Sequence, residues 1–318
     1  MQNLRVQARL AEAAGFDGCM TSEHHGGFSN YLPNALVGAT WALDATDRIW
    51  AAPCPLVLPL RPLSQTVEDL AWTHHRYPGR VGVGVCAGAL PVDFELAGVP
   101  FAEAFPRYRA ALPKLVDALM GRATGPLGAE PAVAALPPGA VPVVAAVQAP
   151  VSAARAGALG IGVLYDSLQT IARTAELSAA HQEGLASQGG HGGPVGGPGG
   201  FSAARILIRR VWIGPPPTEA VATQMARYEG YAPDRARAHW AGDALIAGAD
   251  GREVAEQLRR AMVDGDCDAV NLRVFLAGLS PAQVAEQIVR HGEETLPRLR
   301  ELIDQPRNDQ PPRAGAGR

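Results

Sequence analysis

Apolar and polar positions along this chain switch repeatedly between a helical and an extended period. Residues 3–14 place Leu4, Ala8 and Ala11 at i, i+4 and i+7 ahead of Gly15, the spacing of an amphipathic helix with a glycine stop. Extended apolar segments fall at 18–22, 49–58, 81–86, 141–147, 161–165, 205–213 and 267–275. Helical patterns cover Pro62 to His75, 101–120, Ser152 to Ala158, Leu168 to Glu183, 217–241, Arg252 to Met262 and Pro281 to Leu302, while 121–140, rich in Gly, Pro and Ala, reads as a loop. Val81-Gly82-Val83-Gly84-Val85-Cys86 is too short and too uniformly apolar for much besides a strand buried on both faces. Strand and helix in alternation give an α/β fold, a TIM (β/α)8-type barrel. Such a barrel needs eight strands. Seven are legible, and the one missing is the strand ahead of the first helix.

Two strands carry irregularities. Segment 49–58 contains Pro53 and Pro55, which a central strand excludes, so a bulge or bend is expected near Cys54-Pro55. Gly82 and Gly84 would let another backbone or a flat ring approach closely. The barrel domain is expected to span 1–304. Within it, 187–200 is mostly glycine and predicts a mobile loop, and 305–318, rich in Pro, Arg and Gly, predicts a disordered tail.

At 318 residues, 47% apolar and 19% charged, the chain suits one large or two small domains. A net charge of -3 with dispersed Lys and Arg offers no electrostatic footprint for nucleic acid or anionic lipid. Cysteines 19, 54, 86 and 267 show no CxxC spacing and sit mostly in apolar surroundings, which suits reduced thiols and a cytoplasmic location. Met1-Gln2-Asn3-Leu4-Arg5 lacks the cationic-then-apolar order of a signal peptide. The longest apolar run, Ala132 to Val147, is broken by Pro137, Pro138 and Pro142 and does not read as a membrane span.

The chemistry gathers at the first extended segment. It delivers Glu23-His24-His25 to the point where the strand stops, which in a parallel barrel is the catalytic rim. Strand alternation puts Glu23 and His25 on one face and His24 on the other, so a three-ligand metal site is not expected. His74-His75 precede a turn without an acidic neighbour and read as surface or capping residues. Gly82 and Gly84 lack the third glycine of a dinucleotide fingerprint. Asp250 reads as a helix cap. Of Arg209 and Arg210, at most one faces the barrel interior. Cys86 reads first as core packing, because nothing nearby in sequence lowers its pKa.

Several short motifs come in a fixed order: Ala11-Glu12-Ala13-Ala14-Gly15-Phe16-Asp17 leading into Glu23-His24-His25, then Val57-Leu58-Pro59 followed by Pro62-Leu63, then Pro78-Gly79-Arg80-Val81-Gly82-Val83-Gly84-Val85. Asp93-Phe94 with Gly98 follows, and Glu294-Thr295-Leu296-Pro297 closes the series. In these motifs the sequence resembles the bacterial-luciferase-like flavin monooxygenases over nearly its whole length. The resemblance implies a barrel that holds reduced FMN at the strand ends and oxidises a small-molecule substrate with O2, as a homodimer supplied by a flavin reductase. It makes His24 and Glu23 the catalytic candidates, sets Cys86 beside the flavin, and places a cis peptide on Cys54-Pro55 under the ring. Independent physical support exists for the last point, since a cis bond costs about 2.5–4 kcal/mol before an ordinary residue but only about 0.5–1 before proline.

Two positions depart from the family pattern. Ala87 stands where the resemblance puts a phosphate-binding arginine, and Val147-Gln148 where it puts a Glu-Ser pair, with Ser152 the nearest hydroxyl and a candidate cap for the next helix. Arg107, Arg109 and Arg155 are candidates to supply the lost charge. Alternative readings are hydride transfer with the deazaflavin F420, and a non-catalytic flavin-binding or partner subunit.

Overall fold

The computed structural model describes residues 2–28, 31–187, 203–230, 237–240 and 245–304. Of the Gly-rich loop expected at 187–200 only Ser187 is among the described residues, and the tail expected at 305–318 lies outside them.

A parallel sheet winds through the chain in sequence order. Strands β1 (Gly18–Thr21) and β2 (Trp50–Pro53) pair, and β3 (Leu56–Val57) resumes β2 after a cis Cys54–Pro55 bond, where the bend was expected. From β3 the order runs through β4 (Val83–Cys86), β5 (Val143–Val147), β6 (Gly162–Tyr165) and β7 (Arg205–Ile213). The last wall strand, β9 (Ala269–Arg273), pairs with the first half of β7. Every strand pairing is parallel, with helices in the connections, so the architecture is the (β/α) barrel.

Side-chain alternation sorts the core into two layers. Ala52, Cys54, Val144, Leu164, Ala204 and Ile206 form a small inner cluster. A much larger one, including Leu56, Val85, Ala145, Val163, Leu207 and Val211, lies between sheet and helices. Small inner residues leave a cavity of about 50 Å³ against Met20, Trp50, Val83 and Pro142.

Several elements are absent from the sequence pattern, among them one strand and one long helix. Strand β8 (Leu245–Gly248) is only four residues long, too short to show a period, and precedes a glycine-rich lead into a helix. Arg210 registers with both Leu245 and Arg273, so β8 and β9 occupy opposite edges of β7, and β8 extends the rim above β6. Helix Ala35–Asp44 was invisible because its sequence, ALVGATWALD, is apolar nearly all round and carries no polar stripe. The 121–140 segment, expected as a loop, holds the short helices Gly125–Ala129 and Pro131–Ala134. The closing helix is divided into Pro281–Arg290 and Leu296–Asp304 by one π turn at His291–Thr295.

Among the described residues, β1 pairs only with β2 and β9 only with β7, so these two strands end the wall, while β8 ends its own pairing above β6. Side chains of the C-terminal segment reach the chain on either side of β1. On the rim Arg273 Nη2 donates to Tyr31 Oη at 3.2 Å. Below, Arg300 Nη2 donates to Gly15 O at 2.7 Å and Asp17 Oδ1 at 3.0 Å, beside the packing of Gln2–Ala13 on Pro281–Arg290.

Candidate active site

The end of β1 is tied to the cis bend by backbone and hydroxyl hydrogen bonds. Cys54 N donates to Thr21 O at 2.6 Å, Ser22 Oγ to Cys54 O at 3.1 Å, and Glu23 N to Pro55 O at 3.3 Å. Residues 22–25 and 54–55 thus meet at one rim.

Beyond that point the expected alternation divides the acid and the histidines. Glu23 turns inward, 2% exposed. Its Oε2 accepts from Val57 N at 2.8 Å, and its Oε1 accepts from Arg61 Nη2 at 2.8 Å and His25 Nε2 at 3.0 Å. A carboxylate engaged by three donors positions its neighbours. Glu23, a catalytic candidate by sequence, is placed as the clamp of the β1 exit.

His24 points the other way, toward Asp93. Asp93 lies on the helix Pro91–Leu96 and is wholly buried. Its Oδ1 accepts from His25 N at 2.7 Å, and its Oδ2 stands 2.9 Å from His24 Nδ1. A carboxylate can only accept, so Nδ1 carries a proton, and in the neutral ring the lone pair belongs to Nε2. Among the described residues nothing hydrogen-bonds to Nε2. The imidazole, with 16% of its side chain exposed, is enclosed by Phe28 and Tyr31 at ring-centroid distances of 4.9 and 4.5 Å. Asp93's role was not read from sequence, because the 69 residues separating it from His24 show no spacing rule. The available signal was an acid embedded in the apolar run Leu90-Pro91-Val92-Asp93-Phe94.

Beside this pair lie the two inner thiols. Cys54 fills the space over Gly84, whose missing side chain is what admits it: a methyl group there would overlap Sγ and stand 3.0 Å from Cys54 Cα. Gly84 therefore admits the close approach of the neighbouring strand's backbone at Cys54 together with its thiol. Cys86, partly buried, registers with Val57 on the neighbouring strand. Burial pushes both thiols up to about 12, so at neutral pH they are uncharged packing groups.

The expected phosphate residues are dispersed. Gln148 is exposed past β5, with its Nε2 3.4 Å from Asp166 Oδ2 and its carbonyl accepting from Arg173 Nη2 at 2.8 Å. Ser152 does not cap a helix. The helix begins two residues earlier, at Pro150, with Ala149 as an N-cap that makes no side-chain bond, so Ser152 is the third helical residue. Arg107 is not brought to the rim groups. It occupies the exposed face of Ala104–Asp117, ion-paired at 2.7 Å with Glu103 one turn back, and Arg109 is exposed on the same helix. Arg155 is half-buried on Pro150–Ala158, and Arg173, which sequence did not single out, adjoins Gln148.

Across the rim stands a second polar group. Arg273 Nη2 donates to Tyr31 Oη and, at 2.9 Å, to Tyr228 Oη, and the two hydroxyls lie 2.7 Å apart. Arg210 shares the inner face with Ile206 and Ile208, while its neighbour Arg209 reaches Gln169 O at 3.0 Å, so one of the two faces inward. Arg210 Nε donates to Gln224 Oε1 at 2.9 Å, and its guanidinium lies over the Tyr228 ring. Among the described residues no three His, Cys, Asp or Glu side chains are grouped to hold a metal ion, and no helix is long and apolar enough to cross a membrane.

Comparisons with known proteins agree with the fold. The alkanal monooxygenase alpha chain of Photorhabdus laumondii subsp. laumondii is 31% identical over 98 residues, 31% of this chain and 27% of that protein, so the match spans about a quarter of the relative. Among solved structures, monooxygenase RslO1 from Streptomyces bottropensis aligns with a TM-score of 0.73 at 17% identity, covering 93% of this chain and 92% of that one. The oxygenating constituent of 3,6-diketocamphane monooxygenase from Pseudomonas putida, in complex with FMN, gives 0.69 at 16%, covering 94% and 92%. The coenzyme F420 dependent tetrahydromethanopterin reductase from Methanopyrus kandleri gives 0.63 at 17%, covering 94% and 95%. The luciferase-like monooxygenase family model matches residues 1–298, which take in the whole described barrel except its last turns, and on that match the chain belongs to the luciferase-like monooxygenase family.

Proposed function

We propose that this protein is a monooxygenase that uses reduced FMN and O2 to oxidise a small organic molecule, with His24 handling the proton. The observation that carries this reading is the His24–Asp93 pair: a wholly buried carboxylate fixes the ring, and Nε2 is left with a lone pair at the strand-end rim. A base held in that way can take or return a proton without reorganising. Phe28 and Tyr31 keep water from the ring's faces.

FMN fits the residues present. The cis Cys54–Pro55 bend, held by Ser22, and the uncharged Cys86 make an apolar floor near His24 for a flat ring. The uncapped first turn of Pro150–Ala158, with the Ser152 hydroxyl, Gln148 and Arg173 adjoining, offers donors to its phosphate. When bound, reduced FMN supplies the electrons for O2 activation. Glu23 fixes the path of the chain into His24 through Val57 N and Arg61. On this reading a separate flavin reductase supplies the cofactor and the chain works as a cytoplasmic homodimer, for which the exposed Leu96, Phe101 and Phe105 provide an apolar face. F420-dependent hydride transfer is the second reading, supported by the barrel shared with the coenzyme F420 dependent tetrahydromethanopterin reductase.

Anaerobic titration with reduced FMN and with F420, followed by O2 uptake with an NADH-driven flavin reductase, tests the choice. FMN is expected to bind, and His24→Ala to lose O2-coupled turnover while still binding it. The reading fails if neither cofactor changes its spectrum, or if His24→Ala works at the wild-type rate.

A further inference from the structure

Next to His24 a pocket of about 120 Å³ opens between Phe28, Tyr31, Gln224, Arg227, Tyr228 and Ala277. Its size is comparable to the ~150 Å³ engineered cavity that takes up one benzene. Three aromatic rings wall it, so a single flat ring is the shape it suits.

The polar groups around it have one sign. Arg227, exposed at the mouth, lies over the Phe28 ring at 5.5 Å, and among the described residues no carboxylate pairs with it. Arg273 stands behind the pocket wall. Its Nη2 serves both tyrosine hydroxyls, and among the described residues neither Nε nor Nη1 has an acceptor and no carboxylate is within ion-pair distance. Each hydroxyl has one proton, and one of the two is used between the oxygens. With Tyr228 as donor of that pair, Tyr31 keeps its proton to offer to the pocket, sharpened by the guanidinium on its oxygen. A cation at the mouth and a polarised donor at the wall select an anion. Asp93, the acid nearest His24, is already engaged by His24 and His25 N.

We propose that this pocket is the substrate's anchor and that the substrate is a single-ring aromatic carboxylic acid, its ring against Phe28, Tyr31 and Tyr228 and its carboxylate held by Arg227 and the Tyr31 hydroxyl. The assignment of the occupant as substrate rests on the oxygenase reading of the rim, whereas the preference for an aromatic anion rests on the pocket alone.

Benzoate and its neutral isostere benzamide, titrated calorimetrically into the flavin-free full chain, test it. Benzoate is expected to bind at least about tenfold tighter than benzamide. Arg227→Gln should remove most of that preference and leave benzamide unchanged, whereas Arg273→Gln, which loosens both tyrosines of the wall, should weaken both probes. Arg227 is exposed and outside the core, so its variant serves even if Arg273→Gln folds poorly. Equal affinity for the two probes, or a preference untouched in Arg227→Gln, overturns the proposal. So does competition between benzoate and FMN, which would give the pocket to the cofactor. If benzoate behaves as expected while FMN fails to bind, the flavin reading falls and the anion pocket stands.

Discussion

Asp93→Asn should reverse the tautomer of His24. In the native chain Asp93 accepts twice, from His25 N at 2.7 Å and from His24 Nδ1 at 2.9 Å. An asparagine keeps the shape but has one acceptor and one donor end. The backbone N–H of His25 cannot become an acceptor, so it takes the amide oxygen, and the amide NH2 is left facing His24 Nδ1. That nitrogen must then accept, and the ring proton moves to Nε2. Two charge-assisted bonds of about 1.5–3 kcal/mol become neutral bonds of about 0.5–1.5, a loss of about 2 kcal/mol in stability. Asp93→Ala is worse, because two donors at a fully buried position lose their partner, at about 1–3 kcal/mol each, and a cavity remains.

The tautomer can be read directly. Two-bond proton–nitrogen NMR on imidazole-labelled protein distinguishes a protonated Nδ1 from a protonated Nε2, and His24→Gln assigns the signal. Wild type should show Nδ1–H and Asp93→Asn should show Nε2–H. If His24 Nε2 works as the base, turnover should fall by about 10²–10⁴ in Asp93→Asn with cofactor affinity unchanged, the usual contribution of a general base. A ring that keeps its Nδ1 proton in Asp93→Asn would refute the argument, since Asp93 would then not be what sets it.

Three other outcomes follow from the packing. His291, fully buried with Nδ1 2.9 Å from Thr295 Oγ1, is held by burial down to about 4 from an ordinary 6.5. The unfolded chain therefore binds the extra proton between those values, so stability is full above pH 6.5 and declines by about 3 kcal/mol as the pH falls to 4. Denaturation across that range should show the slope, and His291→Gln should flatten it; a wild-type profile that is flat counts against it. Burial also lowers His74 and His181, which adds to the same slope. Cys54 and Cys86, with thiols near 12, should alkylate about 10³ times more slowly than a free thiol at pH 8, all four cysteines reacting once denatured, and a native Cys86 that reacts at the free-thiol rate would be inconsistent with its surroundings. Gly84→Ala should cost about 1–3 kcal/mol through overlap with Cys54 Sγ, and part of that should be relieved when Cys54→Ala is also present, the contacts to Cα and Cβ remaining; strictly additive costs would deny the contact.

Legibility from sequence followed the range of the signal. Alternation over a few residues was enough to separate Glu23 and His25 from His24, and proline chemistry was enough to place the bend at Cys54–Pro55. Partners remote in sequence left no such trace. Asp93 on His24 and Arg61 on Glu23 are brought together by neighbouring strands, and Arg273 on Tyr31 by the closure of the wall. Helix Ala35–Asp44 was lost for a different reason: buried Ala35, Leu36, Gly38, Ala39, Ala42 and Leu43 leave little of its circumference for a polar face, and amphipathicity is the quantity a sequence pattern reports. Serine is a common helix cap, which makes Ser152 a candidate by sequence, yet Pro150 begins the helix two residues earlier.

Closure of the barrel and the shape of the proposed pocket depend on the same hydrogen bonds. Arg273 leaves the edge strand β9, reaches Tyr31 in the chain beyond β1, and in the same plane of bonds holds Tyr228 on the helix Thr218–Glu229. Tyr31 in turn packs its ring edge-on to His24 at 4.5 Å. Loosening Arg273 would therefore open the join between the sheet edges, move a pocket wall and release one side of the His24 ring together. A loss of turnover in Arg273→Gln is consequently ambiguous, whereas Arg227, which lines the pocket mouth and takes no part in the join, isolates the charge. Discrimination between benzoate and benzamide that falls in Arg227→Gln, with thermal stability and the His24 NMR signal unchanged, would locate anion selection in the pocket independently of barrel closure.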